Sequence, residues 1–582
     1  MTTPLEKNTM TTTHESHYLI LGAGPAGLQS AYFLDKAGRD YLVVEASDQV
    51  GAFFSKFPRH RTLLSINKRF TGHDDPEYNL RHDWNSLVSD DTELRLTNRT
   101  QAYFPSADVL VDYLGEFTER FALRVRLQQQ VNTICRNPET GAFRLECASG
   151  DVYVCKVLIV ATGIGRPRIP DVPGIELATG YESMSVDADD YRNKSVLILG
   201  KGNSAFETAD NLIPTAAMIH LISPGPLRLA WESRFVGDLR AINNSFLDTY
   251  HLKSQNASID GVIHEMARSD SGKIRVSFSS IHVENEIEQI EYDVVLRCTG
   301  FRFDDRIFDA SCVPETTLDG RLPALTPGFE SVNVPNMFFM GAATQSLDHK
   351  QAQSAFIHGF RYNAVALAQL LEERYESTPL PYEPIDPSPS GLTKSIFERM
   401  NVTSSLWQQV GFLADLVVMP GEGETVARYY HDLPYPYLRM HGARISEGRD
   451  FYITMFRLGD SPEDAFNHER NANPFEGESS TAIHPVYEYY QPAQNDGQSP
   501  VSTFHVLEDF FGDWSASEYI ETSTLYFERS GHNQPVPVRR LEQARLMARD
   551  TNMRLVDEDS RQQRAADLRE VTAASMQTTD GK

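Results

Sequence analysis

Cysteine is scarce in this chain. There are five in 582 residues, Cys135, Cys147, Cys155, Cys298 and Cys312, and no two form a Cys-x-x-Cys pair. An odd, scattered set excludes a disulfide-stapled scaffold, a zinc ribbon and a thioredoxin-type redox motif, and it fits a reducing cytoplasm. Basic residues are also short, with 54 Lys and Arg against 80 Asp and Glu and a net charge of −26. Such a surface repels a nucleic-acid duplex or an anionic membrane, so neither is an expected partner. Long apolar runs are missing too: VLIVATG and FLADLVVMP stop far short of the roughly 18 residues of a spanning helix. The polar opening MTTPLEKNTMTTTHESH has no secretory apolar stretch, and the expected location is the cytoplasm. What is present is a globular composition, 41% hydrophobic and 23% charged, over a length that calls for several domains.

The strongest local pattern begins at Tyr18-Leu19-Ile20-Leu21, a short buried-strand run, followed by Gly22-Ala23-Gly24-Pro25-Ala26-Gly27. Leu28, Ala31, Leu34 and Ala37 then recur at helical spacing, and Tyr41-Leu42-Val43-Val44 forms a second strand ending in Glu45. Strand, glycine turn, helix, strand and acid in about thirty residues are the requirements of a dinucleotide site. Gly22 permits the tight turn, Gly24 lets the backbone approach a pyrophosphate beside Pro25 and Ala26, and Gly27 lets helix and sheet close. Glu45 is placed to accept ribose hydroxyls.

A second copy follows. Val196-Leu197-Ile198-Leu199 leads into Gly200-Lys201-Gly202-Asn203-Ser204-Ala205, a helix to Leu212 and the strand Met218–Ile222. Ser223 replaces the acid, and Arg228 and Arg234 come next. An acid there would repel a 2′-phosphate, which an arginine can hold, so this unit is expected to bind NADPH rather than NADH. Buried strands ending in Thr-Gly turns recur at Ala161-Thr162-Gly163 and Cys298-Thr299-Gly300, and Met337–Gly341 has a similar form.

The expected architecture is therefore an α/β fold of two Rossmann-like dinucleotide-binding domains, the NADPH domain inserted in the FAD domain, with a C-terminal α+β extension. The boundaries read as 15–190 and 295–376 for FAD, 191–294 for NADPH, 377–390 for a Pro-rich linker, 391–540 for a C-terminal domain of unassigned role and 541–582 for a helical, frayed tail. Two nested nucleotide sites imply hydride transfer between cofactors. Disulfide reductases add a cysteine pair beside the flavin, which this chain lacks; flavin monooxygenases need none.

The motifs also resemble a known group. Gly22–Gly27, Gly51-Ala52-Phe53-Phe54, Ser65-Ile66-Asn67-Lys68, Phe104-Pro105, Ala161–Gly163, Gly200–Ser204 and Cys298–Gly300 are similar to the class B flavin-dependent monooxygenases over about 15–375. Phe57-Pro58-Arg59-His60-Arg61, Asn79–Ser86, Gly202–Glu207 and Phe356–Tyr362 resemble more closely the FAD-dependent oxidoreductase domain-containing type 2 proteins, which are animal endoplasmic-reticulum flavoproteins, and the aspartate N-hydroxylases that make nitrosuccinate. The resemblance implies FAD and NADPH as cofactors and a flavin ring along Gly51, Phe53 and Phe54. It implies Asn67 as the catalytic asparagine whose amide hydrogen-bonds flavin or nicotinamide, adenine contact at the Val131 backbone, and cofactor contacts at Gly163 and Gly341. The FxGxxxH fingerprint of Baeyer–Villiger enzymes is absent; Gly174–Ser183 stands in its place.

Three further expectations complete the reading. The basic run Arg59, His60, Arg61, Lys68, Arg69, Arg81 and His82 could hold an anionic substrate, with Lys68, Arg69 and His82 as candidates, or could be a salt-bridged loop. His431, His441, His468 and His484 are not spaced as metal ligands, and no metal is expected. The expected activity is transfer of oxygen from a flavin C4a-hydroperoxide to a nucleophilic heteroatom of a small substrate, by N-hydroxylation of an amine or amino acid such as aspartate. The partners are then that substrate and molecular oxygen, and a homodimer is possible. The alternatives are a flavoprotein binding a protein partner through its C-terminal domain, and an NADPH oxidase or flavin reductase that releases peroxide.

Overall fold

The computed structural model describes residues 12–252, 255–283, 286–460, 473–495, 497 and 499–530. The tail expected at 541–582 lies outside them, as do the last ten residues of the expected 391–540 domain.

The first sheet grows outward from Thr13–Leu21, whose last four residues are buried. Tyr41–Val44 pairs with it in parallel on one side, and Val152–Val160 on the other. Strands this continuously apolar suit a parallel sheet covered on both faces. Val125–Arg126 extends one edge. Met337–Phe339 joins the second half of Val152–Val160, while Phe143–Cys147 and Val131–Arg136 fold as an antiparallel flap onto its first half. A long helix runs Ile357–Tyr375 and lies beside Pro25–Lys36.

The second sheet repeats the plan. Ser195–Leu199 sits between Met218–Ser223 and Val294–Arg297, all parallel, and Asn256–Arg268 leads into an antiparallel meander with Ile274–Ser280 and Glu288–Tyr292. Its far edge is Thr179–Gly180, paired with Val294–Arg297. Residues 179–180 and 294–297 thus belong to the second unit's sheet, and the crossings fall at the antiparallel pair Arg166–Pro167 and Phe301–Arg302, rather than at 190/191 and 294/295. The cause is duplication: Val294–Arg297 fills in the second unit the place that Val157–Val160 fills in the first, so both read alike in sequence.

The third sheet is antiparallel throughout, in the order Glu383–Ile385, Ala427–Pro434, Leu413–Val418, Phe451–Leu458, Ile483–Tyr490, Ser502–His505. Its first strand corrects the expected linker at 377–390. Pro384 stands opposite Arg428 on an edge strand, where a residue without an N–H is tolerated. Ser388 caps the helix Pro389–Val402, its Oγ accepting from the Gly391 N–H at 3.1 Å. Nor is the third sheet an independent body. One apolar core runs from Ile20, Leu28 and Leu367 through Leu392 and Ile396 to Phe456 and Trp514. No helix among the described residues is long and apolar enough to cross a membrane.

Candidate functional site

The two glycine turns are built alike. Gly22 has φ +105° and donates to the Val44 carbonyl at 2.8 Å, and a Cβ on it would lie 2.8 Å from the Ala161 carbonyl oxygen. Gly200 has φ +123°, donates to the Ile222 carbonyl at 2.8 Å, and would meet the Cys298 carbonyl oxygen at 2.3 Å. Each turn is therefore wedged between two strand ends, and only glycine fits. Gly27 serves closure, since its missing Cβ would sit 1.9 Å from the Gly22 oxygen; Ala205 replaces it in the second unit and is fully buried.

Gly24 and Gly202 differ. Neither has a protein atom within 4 Å of the missing Cβ, and both precede helix N-termini with no side-chain cap. Open space in front of unsatisfied N–H groups is a cradle for phosphate. Glu45 is fixed at the mouth of the first cradle, accepting from Ala23 N at 2.7 Å and Ser47 N at 2.9 Å. Gln129 N donates to the Glu45 carbonyl, which brings the buried Val131 beside it, in one apolar cluster with Val44. Gly341, φ +81°, closes against Ala26, where a Cβ would approach to 2.8 Å. These residues fit a dinucleotide such as FAD.

At the second cradle the expectations divide. Arg228 is exposed and makes no ion pair among the described residues, as a 2′-phosphate contact requires. Arg234 does not serve there: its Nη1 donates to the Gly459 and Thr481 carbonyls at 3.0 and 2.7 Å, which ties the unit to the third sheet. Asn203 spends its whole amide on a neighbouring loop, donating to the Gly237 and Asp238 carbonyls and accepting from Arg240 N and Asn243 Nδ2. The side chain of Lys201 is buried in an ion pair with Asp260. Ser204 begins the face that leads to Tyr181.

Between the cradles lies an aromatic wall. The Gly51 N–H is held by the Ala23 carbonyl. Phe53, half-exposed, packs on Phe54 and Phe57, and Phe57 stacks on Tyr181 at 5.7 Å and meets Phe301 edge-on at 5.3 Å. Gly163, φ +68°, and Gly300, φ +81°, turn the chain out of the strands beneath. The Tyr181 hydroxyl donates to Glu207 and accepts from Arg59 N at 2.8 Å. Burial pushes the Glu207 carboxyl up to about 7, and burial beside Arg59 pushes the His60 imidazole down to about 4.

Asn67 is buried and bridged to Asp83. Nδ2 donates to the Thr100 and Ala102 carbonyls at 3.0 and 3.2 Å, leaving Oδ1 buried without a partner. What Asn67 offers a ligand is therefore an acceptor rather than an N–H. Nearby, Asn85 Oδ1 and both nitrogens of the fully buried His358 are also unpartnered.

The basic run is dispersed. Arg81 is buried, donating to Thr403 and Met400 carbonyls and stacked 4.4 Å over Trp407; Arg59 holds the Met184 carbonyl; Arg61 pairs with Asp108. Lys68 and Arg69 are exposed without an ion pair among the described residues, and His82 is half-buried beside Tyr78. The sequence reading missed Glu207, Tyr181, Trp84, Arg240 and His358. Glu207 and His358 sit inside motifs quoted for the resemblance, whereas Arg240 carries no local signal.

The cysteines do not form a redox pair. All five are free thiols, and burial raises Cys147 and Cys312 to about 11 and Cys298 to about 12, so the reactive thiolate is suppressed.

Residues 19–341 match the family described as "Pyridine nucleotide-disulphide oxidoreductase". The chain is 39% identical to the mouse FAD-dependent oxidoreductase domain-containing protein 2 over 546 residues, covering 86% of this chain and 81% of that protein. The zebrafish (Danio rerio) protein of the same name is 36% identical over 570 residues, covering 87% and 81%. A probable indole-3-pyruvate monooxygenase of Arabidopsis thaliana, YUCCA1, is 26% identical over 211 residues, 35% of this chain and 46% of that one. The two vertebrate similarities extend well beyond the nucleotide units, so the third sheet is part of the shared architecture. The chain belongs to the pyridine nucleotide-disulphide oxidoreductase family, among the homologues of FAD-dependent oxidoreductase domain-containing protein 2.

Proposed function

We propose that the protein is an NADPH- and FAD-dependent monooxygenase that places one oxygen atom on a nucleophilic heteroatom of a small substrate, with N-hydroxylation of an amine or amino acid, aspartate included, as the preferred reaction. The Gly22–Gly27 turn with Glu45 would hold FAD and the Gly200–Ala205 turn would hold NADPH, and the pair would supply hydride-transfer and oxygen-activating chemistry. The protein's own contribution is positional. Gly24 and Gly202 leave room for the two pyrophosphates, Glu45 takes the first ribose, and Arg228 takes the 2′-phosphate. Phe53, Phe54, Phe57 and Phe301 exclude water from the space between the cradles, which protects reactive species from hydrolysis. Glu207 and the Tyr181 hydroxyl hold a proton at its wall, close to the pH where it can be given or taken.

The observation that carries this reading is Asn67 Oδ1: a buried acceptor without a partner, in a chain whose thiols are suppressed. Such an acceptor can receive an amine N–H and orient the nitrogen, whereas a disulfide substrate gives it nothing. The monooxygenase name of the plant relative points the same way. The test is oxygen-isotope labelling. The FAD-loaded protein, given NADPH, ¹⁸O₂ and a panel of amines and amino acids, should yield a product carrying the label and consume NADPH faster with that substrate. Recovery of every electron as peroxide, with all amines unchanged, overturns it.

A further inference from the structure

Among the described residues, Arg240 is a cation with no counter-charge. It lies in the second unit, where its backbone N–H is held by Asn203 Oδ1 at 3.0 Å, but its guanidinium leaves that unit and lies 5.2 Å over the ring of Trp84, in the first. It is half-buried, and no carboxylate or carbonyl receives its N–H groups among the described residues. Burying a guanidinium is costly unless its donors are met. The other arginines of the interior show the usual solution: Arg361 donates to Leu80, Asp83 and Ser86 carbonyls, and Arg399 pairs with Asp415 and Asp432. Arg240 has no such arrangement.

Its surroundings are prepared for an anion. Trp84 stacks at 4.4 Å on His358, whose two ring nitrogens are buried and unpartnered. Burial, reinforced by Arg361 and Arg240, keeps that imidazole neutral, so it can donate one hydrogen bond without adding charge. Tyr103 faces Arg240, and its carbonyl holds the Asn67 backbone at 2.8 Å. The same region therefore presents a free planar cation, a neutral imidazole and, at Asn67 Oδ1, a free acceptor. A guanidinium stacked on an aromatic ring presents its edge, and an edge matches a carboxylate in bidentate fashion.

We propose that Arg240, stacked on Trp84 beside His358, is the anchor for a carboxylate of the substrate, which restricts the substrate to amines that also carry a carboxylate. The proposal rests on the oxygen-transfer reading for its amine, but not for its carboxylate. It is distinct from cofactor recognition: the 2′-phosphate cation is the exposed Arg228 beyond Ser223, whereas Arg240 lies across on the first unit's tryptophan.

The test uses the full FAD-loaded chain and the probes succinate, L-aspartate and, as a charge-free control, succinamide. Binding is read by tryptophan fluorescence, since Trp84 is one of four tryptophans, and by thermal shift. Succinate and L-aspartate should bind and succinamide should not. Arg240→Gln should weaken both by about tenfold or more, the loss expected for a bidentate charged hydrogen-bond pair. Arg240→Lys should fall between, and NADP⁺ affinity should stay within a factor of two in both variants. Carboxylate binding unchanged in Arg240→Gln, no carboxylate binding by the unmodified chain, or a loss of NADP⁺ affinity instead, overturns the assignment. If carboxylates bind through Arg240 yet never accelerate NADPH oxidation, the subsite stands and the oxygen-transfer reading falls. If an amine is hydroxylated with an unaltered KM in Arg240→Gln, the reverse holds.

Discussion

Glu207 shows how one side chain can tune both stability and chemistry. It lies on the helix Asn203–Leu212 and, apart from the Tyr181 hydroxyl, has no hydrogen-bond partner among the described residues. Its folded carboxyl sits at about 7 against an ordinary value of 4.5, with burial as the larger cause and the tyrosine bond opposing it. A raised folded value means that the native state binds this proton more tightly than the unfolded chain does. The associated stability is full below about 4.5 and is lost as pH rises through about 7. Glu207→Gln removes the titration. At pH 8.5 the variant should melt at a higher temperature than the parent, being more stable by about 3 kcal/mol, with little difference at pH 4.5. Thermal scans at the two pH values decide it, and parallel pH profiles would show that the carboxylate is paired with something else. None of this was legible in the sequence, because Glu207 reads as an ordinary polar position on an amphipathic helix. Its value comes from burial, in a place that the fold alone builds by bringing Tyr181, 26 residues earlier, against it.

At the level of the element, the strand–glycine–helix units were the most legible part. A turn wedged between two strand ends accepts only glycine, so the constraint is written within the six residues Gly22–Gly27 and survives without any tertiary information. The same unit separates folding from ligand binding. Gly27→Ala would force a Cβ to 1.9 Å from the Gly22 oxygen, a clash the helix cannot relieve without leaving the sheet, and the apoprotein should be destabilised outright. Gly24→Val is different: a Cβ at Gly24 meets no protein atom within 4 Å, and the extended backbone there is one that any residue adopts. Its apoprotein should melt within about a degree of the parent while FAD affinity falls by about tenfold or more, because the methyls occupy the phosphate space. Equal losses of apoprotein stability in the two variants would contradict the division. Where the elements misled, the cause was local chemistry overridden at long range. The prolines of 377–390 read as a stiff connector, and Pro384 became part of an edge strand because Ala427–Pro434 offered it a partner, Arg428, 44 residues later.

The whole molecule departs furthest from what its sequence suggests, because the last third carries no motif, and what it does depends on contacts made across as many as 322 positions. Its residues satisfy buried groups of the first unit: Thr403 and Met400 carbonyls receive Arg81, Ser404 Oγ receives the Tyr362 hydroxyl, and Gln409 receives Gln353 N and donates to Asn363. Arg234 reaches from the second unit to Gly459 and Thr481. The third sheet is therefore a brace that touches both nucleotide units, rather than a passenger. A chain ending at residue 377 would keep every glycine of both cradles and every cofactor residue named above. It would nonetheless expose Leu367 and Leu371, which are buried in the shared core, and lose the Thr403 and Met400 carbonyls that fix Arg81. Expression of residues 1–377 should give no soluble yellow protein, whereas the full chain retains flavin. A soluble fragment that binds FAD with the parent's affinity and melts within a few degrees of it would show that the brace is dispensable and that the nucleotide units fold without it.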